Sequence, residues 1–131
     1  MLAKIAVADY MTTNIVTVTP DTEISQAIKK LLDHKITSVP VVDERGKLIG
    51  VFSEKDGMSV VVESAYNQSM DGKVGDIMTK EPEVIDADAS LVDAALKFKD
   101  TPTRSYPVFQ NGELVGMISR IDVLRALLSI R

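Results

Sequence analysis

The chain has 131 residues, 45% hydrophobic and 26% charged, with a net charge of −4. That is one globular domain's worth of chain. It excludes a disordered tail, which lacks the apolar surface to offset ordering entropy, and predicts one hydrophobic core rather than two. The negative balance argues against nucleic acid, whose affinity comes largely from neutralising phosphates with Lys and Arg. With no cysteine, disulfides, thiolate metal sites and cysteine nucleophiles are excluded, and the single histidine, His34, excludes chemistry that needs two. No run approaches the roughly 20 apolar residues that span a bilayer. Lys4 and Asp9 interrupt the N-terminal stretch, so no signal-peptide core forms. The expected location is cytoplasmic, with no membrane contact.

In chain order, a VADYMT segment at 7–12 comes first. Ile15, Val16 and Val18 predict a short strand, broken at Pro20. Ile24, Ala27, Ile28, Leu31 and Leu32 then follow the i, i+3, i+4 spacing of an amphipathic helix. His34 follows that helix, where a cation suits the C-terminus. Two β-rich runs, 39–42 and 48–52, flank a hairpin loop at 43–46, and Met58, Val61, Val62 and Ala65 mark a closing helix.

The pattern then repeats. VGDIMT at 74–79 returns the first segment, SYPV at 105–108 returns SVPV at 38–41, GELVG at 112–116 returns GKLIG at 46–50, and SRID at 119–122 returns SEKD at 53–56. Leu91, Ala94, Ala95 and Phe98 form the second amphipathic stripe. Ser90 and Asp93 have capping-box spacing before it, and Pro102 stops it. Asn111 and Gly112 predict a type I′ turn between strands 107–109 and 114–118. Val123, Leu124, Leu127 and Leu128 mark the last helix. The prediction is a mixed α/β (α+β) fold of two β-α-β-β-α repeats. The first repeat, with its N-terminal segment, occupies 1–66, a linker 67–73 and the second repeat 74–131. A unit of about fifty residues sits at the lower edge of independent stability, so the repeats are expected to pack through their sheets about a pseudo-twofold axis as one compact module. The methionines, including Met58, Met70, Met78 and Met117, read as core fillers.

Chemistry concentrates in the tetrapeptide Ser-x-x-Asp, at Ser53 with Asp56 and at Ser119 with Asp122, each where a strand gives way to a helix. Free amides and the positive end of the helix dipole favour anions such as phosphate there. A carboxylate beside them accepts ribose hydroxyls in other nucleotide folds. A second reading uses the same groups: Ser at the cap and Asp three residues on form a capping box. Asp86 and Asp88 read as acidic residues before a helix start, and no metal site is expected. Gly50 and Gly116 stand alone, far from a phosphate-cradling glycine loop.

The D-x-M-T segments, the Ser-hydrophobic-Pro-Val runs and the G-h-h-S-x-x-D stretches at 50–56 and 116–122, each seen twice in order, resemble a tandem pair of CBS (cystathionine β-synthase-type) domains, a stand-alone Bateman module. The resemblance covers residue 7 to the C-terminus. It implies a regulatory, non-enzymatic module with two clefts between the repeats for adenosine-containing molecules, an adenosine nucleotide serving as ligand with no required cofactor. It implies that Asp56 and Asp122 hold ribose, that Ser53 and Ser119 lie near ribose or phosphate, and that Thr37 with Ser38, or Arg104 with Ser105, face phosphate. Arg104 and Arg120 in the second copy stand where the first has Thr37 and Glu54. Since arginine's fork grips phosphate, the Asp122 site is expected to be the stronger. Apolar closing helices predict a homodimer, and regulation implies either that dimer or a separate effector protein. The alternative is a purely structural homodimerisation module with no bound nucleotide.

Overall fold

A computed structural model of the chain describes residues 2–67 and 72–130. Most of the expected linker, residues 68–71 and with it Met70, lies outside them. The chain forms two compact units, a middle unit of Val16–Pro82 and a terminal unit of Met1–Ile15 with Glu83–Arg131. Each carries a three-stranded sheet and its helices, the mixed α/β fold of two repeats that the sequence predicts.

The middle unit holds α1 (Ile24–His34), β1 (Ser38–Val42), β2 (Leu48–Ser53), α2 (Glu54–Asn67), α3 (Val74–Ile77) and β3 (Thr79–Lys80). Its sheet order is β1-β2-β3, all antiparallel. The strand expected near Ile15 contracts to one parallel bridge, Val18 to Val41, made by Val18 N–H to the Pro40 carbonyl and Val42 N–H to the Val18 carbonyl. The next step of that parallel ladder requires an N–H from residue 40, and proline has none. The same constraint applies in the terminal unit. There β4 (Ile85–Asp86) runs parallel to β5 for two residues, opposite Val108 and Phe109, and the ladder stops at Pro107.

α4 (Leu91–Asp100), β5 (Ser105–Gln110), β6 (Glu113–Ser119) and α5 (Arg120–Ser129) complete the terminal unit, with sheet order β4-β5-β6. α4 begins with the predicted capping box, Asp93 N–H to Ser90 Oγ at 3.1 Å and Ser90 N–H to Asp93 Oδ2 at 3.4 Å. The β5–β6 turn puts Asn111 and Gly112 at φ +54° and +79°, the positive pair that a type I′ hairpin demands.

The sequence repeats and the compact units do not coincide, because each repeat's leading segment folds with the other repeat. Val7 N–H bonds the Ala89 carbonyl and Ala8 N–H that of Ala87; in the middle unit Val74 N–H bonds Thr22 and Gly75 N–H bonds Pro20. Thr12 bridges Met117, and β3 pairs with Gly50 and Val51 of β2. Glycine is required at these contacts. A Cβ on Gly116 would lie 2.7 Å from the Thr12 carbonyl and 2.9 Å from Met11 Sδ; one on Gly50 would lie 2.7 Å from Met78 Sδ and 2.9 Å from the Thr79 carbonyl.

The buried apolar side chains form two clusters, where composition predicted one. Val74 joins Ile24, Ala27, Leu31, Val39, Val41 and Phe52 in the middle unit, and Val7 joins Leu91, Ala94, Phe98, Tyr106, Val108 and Ile118 in the terminal one. Val7 and Val74 are fully buried, each in the opposite repeat's cluster. Full burial of such a side chain contributes about 1.5–3 kcal/mol. Two residues read as apolar interior are corrected. Leu32 lies on the open side of α1 and Met58 on the open side of α2, both well exposed. A helical stripe one residue too wide and an all-apolar reading of methionine account for these two.

Candidate functional site

Each hairpin returns its second strand to the start of a helix, and the cross-strand register sets what meets there. Ser38 lies opposite Ser53, and Ser105 opposite Ser119. The residue before each first strand closes the corner through its carbonyl: Thr37 accepts Glu54 N–H at 2.9 Å, and Arg104 accepts Arg120 N–H at 3.2 Å. The fold therefore gathers the nominated residues into two corresponding corners. Thr37, Ser38, Ser53 and Asp56 meet in the middle unit, and Arg104, Ser105, Ser119, Arg120 and Asp122 in the terminal unit.

Both Ser-x-x-Asp motifs are capping boxes. Ser53 N–H donates to Asp56 Oδ2 at 2.8 Å and Asp56 N–H to Ser53 Oγ at 3.3 Å; Ser119 N–H donates to Asp122 Oδ2 at 2.9 Å and Asp122 N–H to Ser119 Oγ at 3.3 Å. Capping consumes one carboxylate oxygen of each aspartate, so it is compatible with a ligand on the other. At Asp122 that other oxygen, Oδ1, accepts Arg125 Nη1 at 3.0 Å, and the residue is only 6% exposed. Asp56 is half-buried, and its Oδ1 has no partner among the described residues. At the position matching Arg125 stands Ser59, whose Oγ donates to the Lys55 carbonyl at 3.5 Å.

Arg120 carries a role that the sequence did not disclose. Its Nε donates to the Thr103 carbonyl at 3.2 Å and its Nη2 to the carbonyls of Phe98 and Thr101 at 2.8 Å each. Its guanidinium carbon lies 5.8 Å from the Phe98 ring centroid. The Phe98 and Thr101 carbonyls lie at the end of α4, where a cation compensates the helix dipole, and Thr103 lies in the loop beyond it. Among the described residues Nε and Nη2 are engaged, which leaves Nη1 for another partner. Arg125 was missed altogether, although its i, i+3 spacing from Asp122 is visible in the sequence.

Among the described residues no group of three or more His, Cys, Asp or Glu could hold a metal ion. Asp86 Oδ1 accepts Asp88 N–H at 2.8 Å in a local turn before α4. No helix of the described residues is long and apolar enough to cross a membrane.

Paired α/β repeats, each ending a hairpin in a capped helix start that carries a carboxylate, define a tandem-repeat module with two corresponding corners. The CBS domain family model matches residues 7–63 and 74–129, and the chain belongs to that family. It is 32% identical to a CBSX2 structure in complex with AMP, with a TM-score of 0.83, covering 96% of this chain and 98% of that one. A structure of the CBS domain pair of protein MJ0100, in complex with 5′-methylthioadenosine and S-adenosyl-L-methionine, is 25% identical with a TM-score of 0.82, over 96% and 98% of the two chains. Among curated proteins, the chain is 33% identical to the chloroplastic CBSX1 of Arabidopsis thaliana, matching 95% of this chain and 65% of that protein, so it spans just under two thirds of that relative's length.

Proposed function

We propose that this chain is a regulatory module that binds an adenosine-containing nucleotide, such as AMP, ADP, ATP or a derivative, at its Ser-x-x-Asp corners and catalyses no reaction. One observation carries the reading: a relative of the same family, superposable over nearly its whole length, holds AMP, and this chain keeps, at each corner, a carboxylate that caps a helix start. Asp56 and Asp122 accept ribose hydroxyls. The backbone amides and the hydroxyls of Thr37, Ser38, Ser53, Ser105 and Ser119 face ribose or phosphate, joined by Arg104 and the remaining nitrogen of Arg120. The nucleotide acts as a regulatory ligand, and no further cofactor is needed.

The signal passes through a homodimer or a separate effector protein. Support for self-association comes from the closing helices, where Met58, Val61, Val62 and Tyr66 on α2 and Ile121, Leu124, Leu127 and Leu128 on α5 are all exposed. Those same faces favour the second reading, a structural dimerisation module without nucleotide. A cytoplasmic location belongs to the proposal and rests on the cysteine-free composition.

A thermal-shift series with AMP, ADP, ATP, NAD and S-adenosylmethionine separates the two readings. A ligand that binds only the folded state stabilises it by RT ln(1 + [L]/Kd), about 2.7 kcal/mol at one hundred times Kd. For a chain of this size that raises Tm by roughly 5–15 °C. The expected result is a selective rise with one or two adenosine compounds. A flat series at millimolar concentrations supports the structural module instead.

A further inference from the structure

We propose that the Asp56 corner is the one that takes the nucleotide and that Arg125 holds the Asp122 corner closed. The inference rests on the nucleotide reading above and reverses the ranking that arginine content alone suggests. The two corners share the same backbone and the same capping box, so the difference lies in the second carboxylate oxygen. Two hydroxyls of a ribose need an acceptor with free lone pairs. Asp56 Oδ1 has no partner among the described residues and its side chain is half-buried. Asp122 Oδ1 already accepts the Arg125 guanidinium at 3.0 Å, and the carboxylate is 9% exposed. A ligand at that corner must displace an ion pair and reach a nearly covered acid. Arg120, whose fork would have favoured this corner, is tied by Nη2 to the end of α4 and by Nε to the loop that follows it. In the middle unit the position one helical turn beyond the aspartate is Ser59, turned to its own helix backbone; Ser53 N–H and Oγ both donate to Asp56 Oδ2, and Oδ1 is left without a partner among the described residues.

The Arg125 side chain is itself 62% exposed, and solvent-exposed pairs are weak. The ion pair therefore acts as a removable gate, and Arg125 and Ser59 act as positioning residues that decide which corner is occupied. The test is isothermal titration of the full chain with AMP, read for stoichiometry as well as affinity. The wild-type chain is expected to bind one AMP per chain tightly. Asp56→Asn, which keeps one oxygen for the cap, should weaken that event about tenfold or more, equivalent to about 1.4 kcal/mol per decade. Arg125→Ser, a change at an exposed side chain, should leave the first event in place and add a second. Ser59→Arg should weaken the first event by up to about fivefold. A tight event that survives Asp56→Asn overturns the assignment of the corner. Arg125→Ser that adds no second event, or weakens binding, makes Arg125 a phosphate ligand or a bystander and overturns the gate. No AMP binding by any form of the chain overturns the nucleotide reading and this inference together, whereas binding that ignores Asp56 overturns this inference alone.

Discussion

At Ser53 the strand-to-helix corner leaves one oxygen of Asp56 uncommitted among the described residues, and at Ser119 the same backbone corner covers its aspartate and pairs it with an arginine one helical turn further on. The two repeats have kept the device that starts a helix and diverged in what surrounds it. Ser-x-x-Asp is thus first a local stability element, and what its second carboxylate oxygen meets is decided by residues outside the tetrapeptide. The hairpins before the two corners diverge in the same way. The second is closed by Asn111 and Gly112 in two residues, while the first uses a longer loop in which Asp43 Oδ1 accepts the amides of Arg45 and Lys47 at 2.8 and 2.9 Å.

Substitutions that act equally on both repeats test what is shared, and those that act on one test what has diverged. The largest effects are expected where the leading segments cross over. Gly116→Ala and Gly50→Ala each place a methyl group within 3.0 Å of a backbone carbonyl and a methionine sulfur. Overpacking of this kind costs about 1–3 kcal/mol, so both variants should lower the urea midpoint. An unchanged midpoint in either contradicts the close approach. Ser119→Ala and Ser53→Ala each remove a cap and should cost about 1 kcal/mol. A clear inequality between them would mean that the two boxes are not equivalent.

The smallest effect is a pH dependence confined to the first hairpin. The Lys47 amide chiefly holds the Asp43 carboxyl below its ordinary value; desolvation, the next largest influence, opposes it, and the Arg45 amide and the charges of Lys47 and Arg45 add to the lowering. A carboxylate depressed in the folded state contributes stability above its unfolded value, 3.8, and loses it as the pH falls through the lower folded value. Replacing Asp43 with Ala should flatten the acid limb of the stability curve slightly below pH 4. An acid limb identical to that of the wild type contradicts the loop's dependence on this carboxylate.

Much of this was legible from the residues. Ser90 with Asp93 announced the start of α4, Asn111 with Gly112 announced its hairpin, and the repeated SVPV and SYPV runs located the strands that carry the corners. The crossing of the leading segments was not legible. Periodicity reports which face of an element is apolar, and Val7 and Val74 look alike whichever cluster receives them. The shortening of the first strand was in principle readable, since Pro40 and Pro107 sit where a parallel neighbour needs a donor. The site was half legible. Residue types named Asp56 and Asp122, but Arg120 was read as a phosphate fork because sequence gives no hint that the end of α4 lies within reach of its guanidinium.

Chemical-shift mapping of the backbone amides during an AMP titration tests the central claim most directly. Occupation of a corner should move the amides of Ser38, Ser53, Glu54 and their neighbours in a saturable way, with the amides of the α1 helix interior left in place. Saturating AMP that leaves these amides unmoved, or that shifts only residues remote from both helix starts, contradicts the claim that the capped carboxylate corners receive a nucleotide.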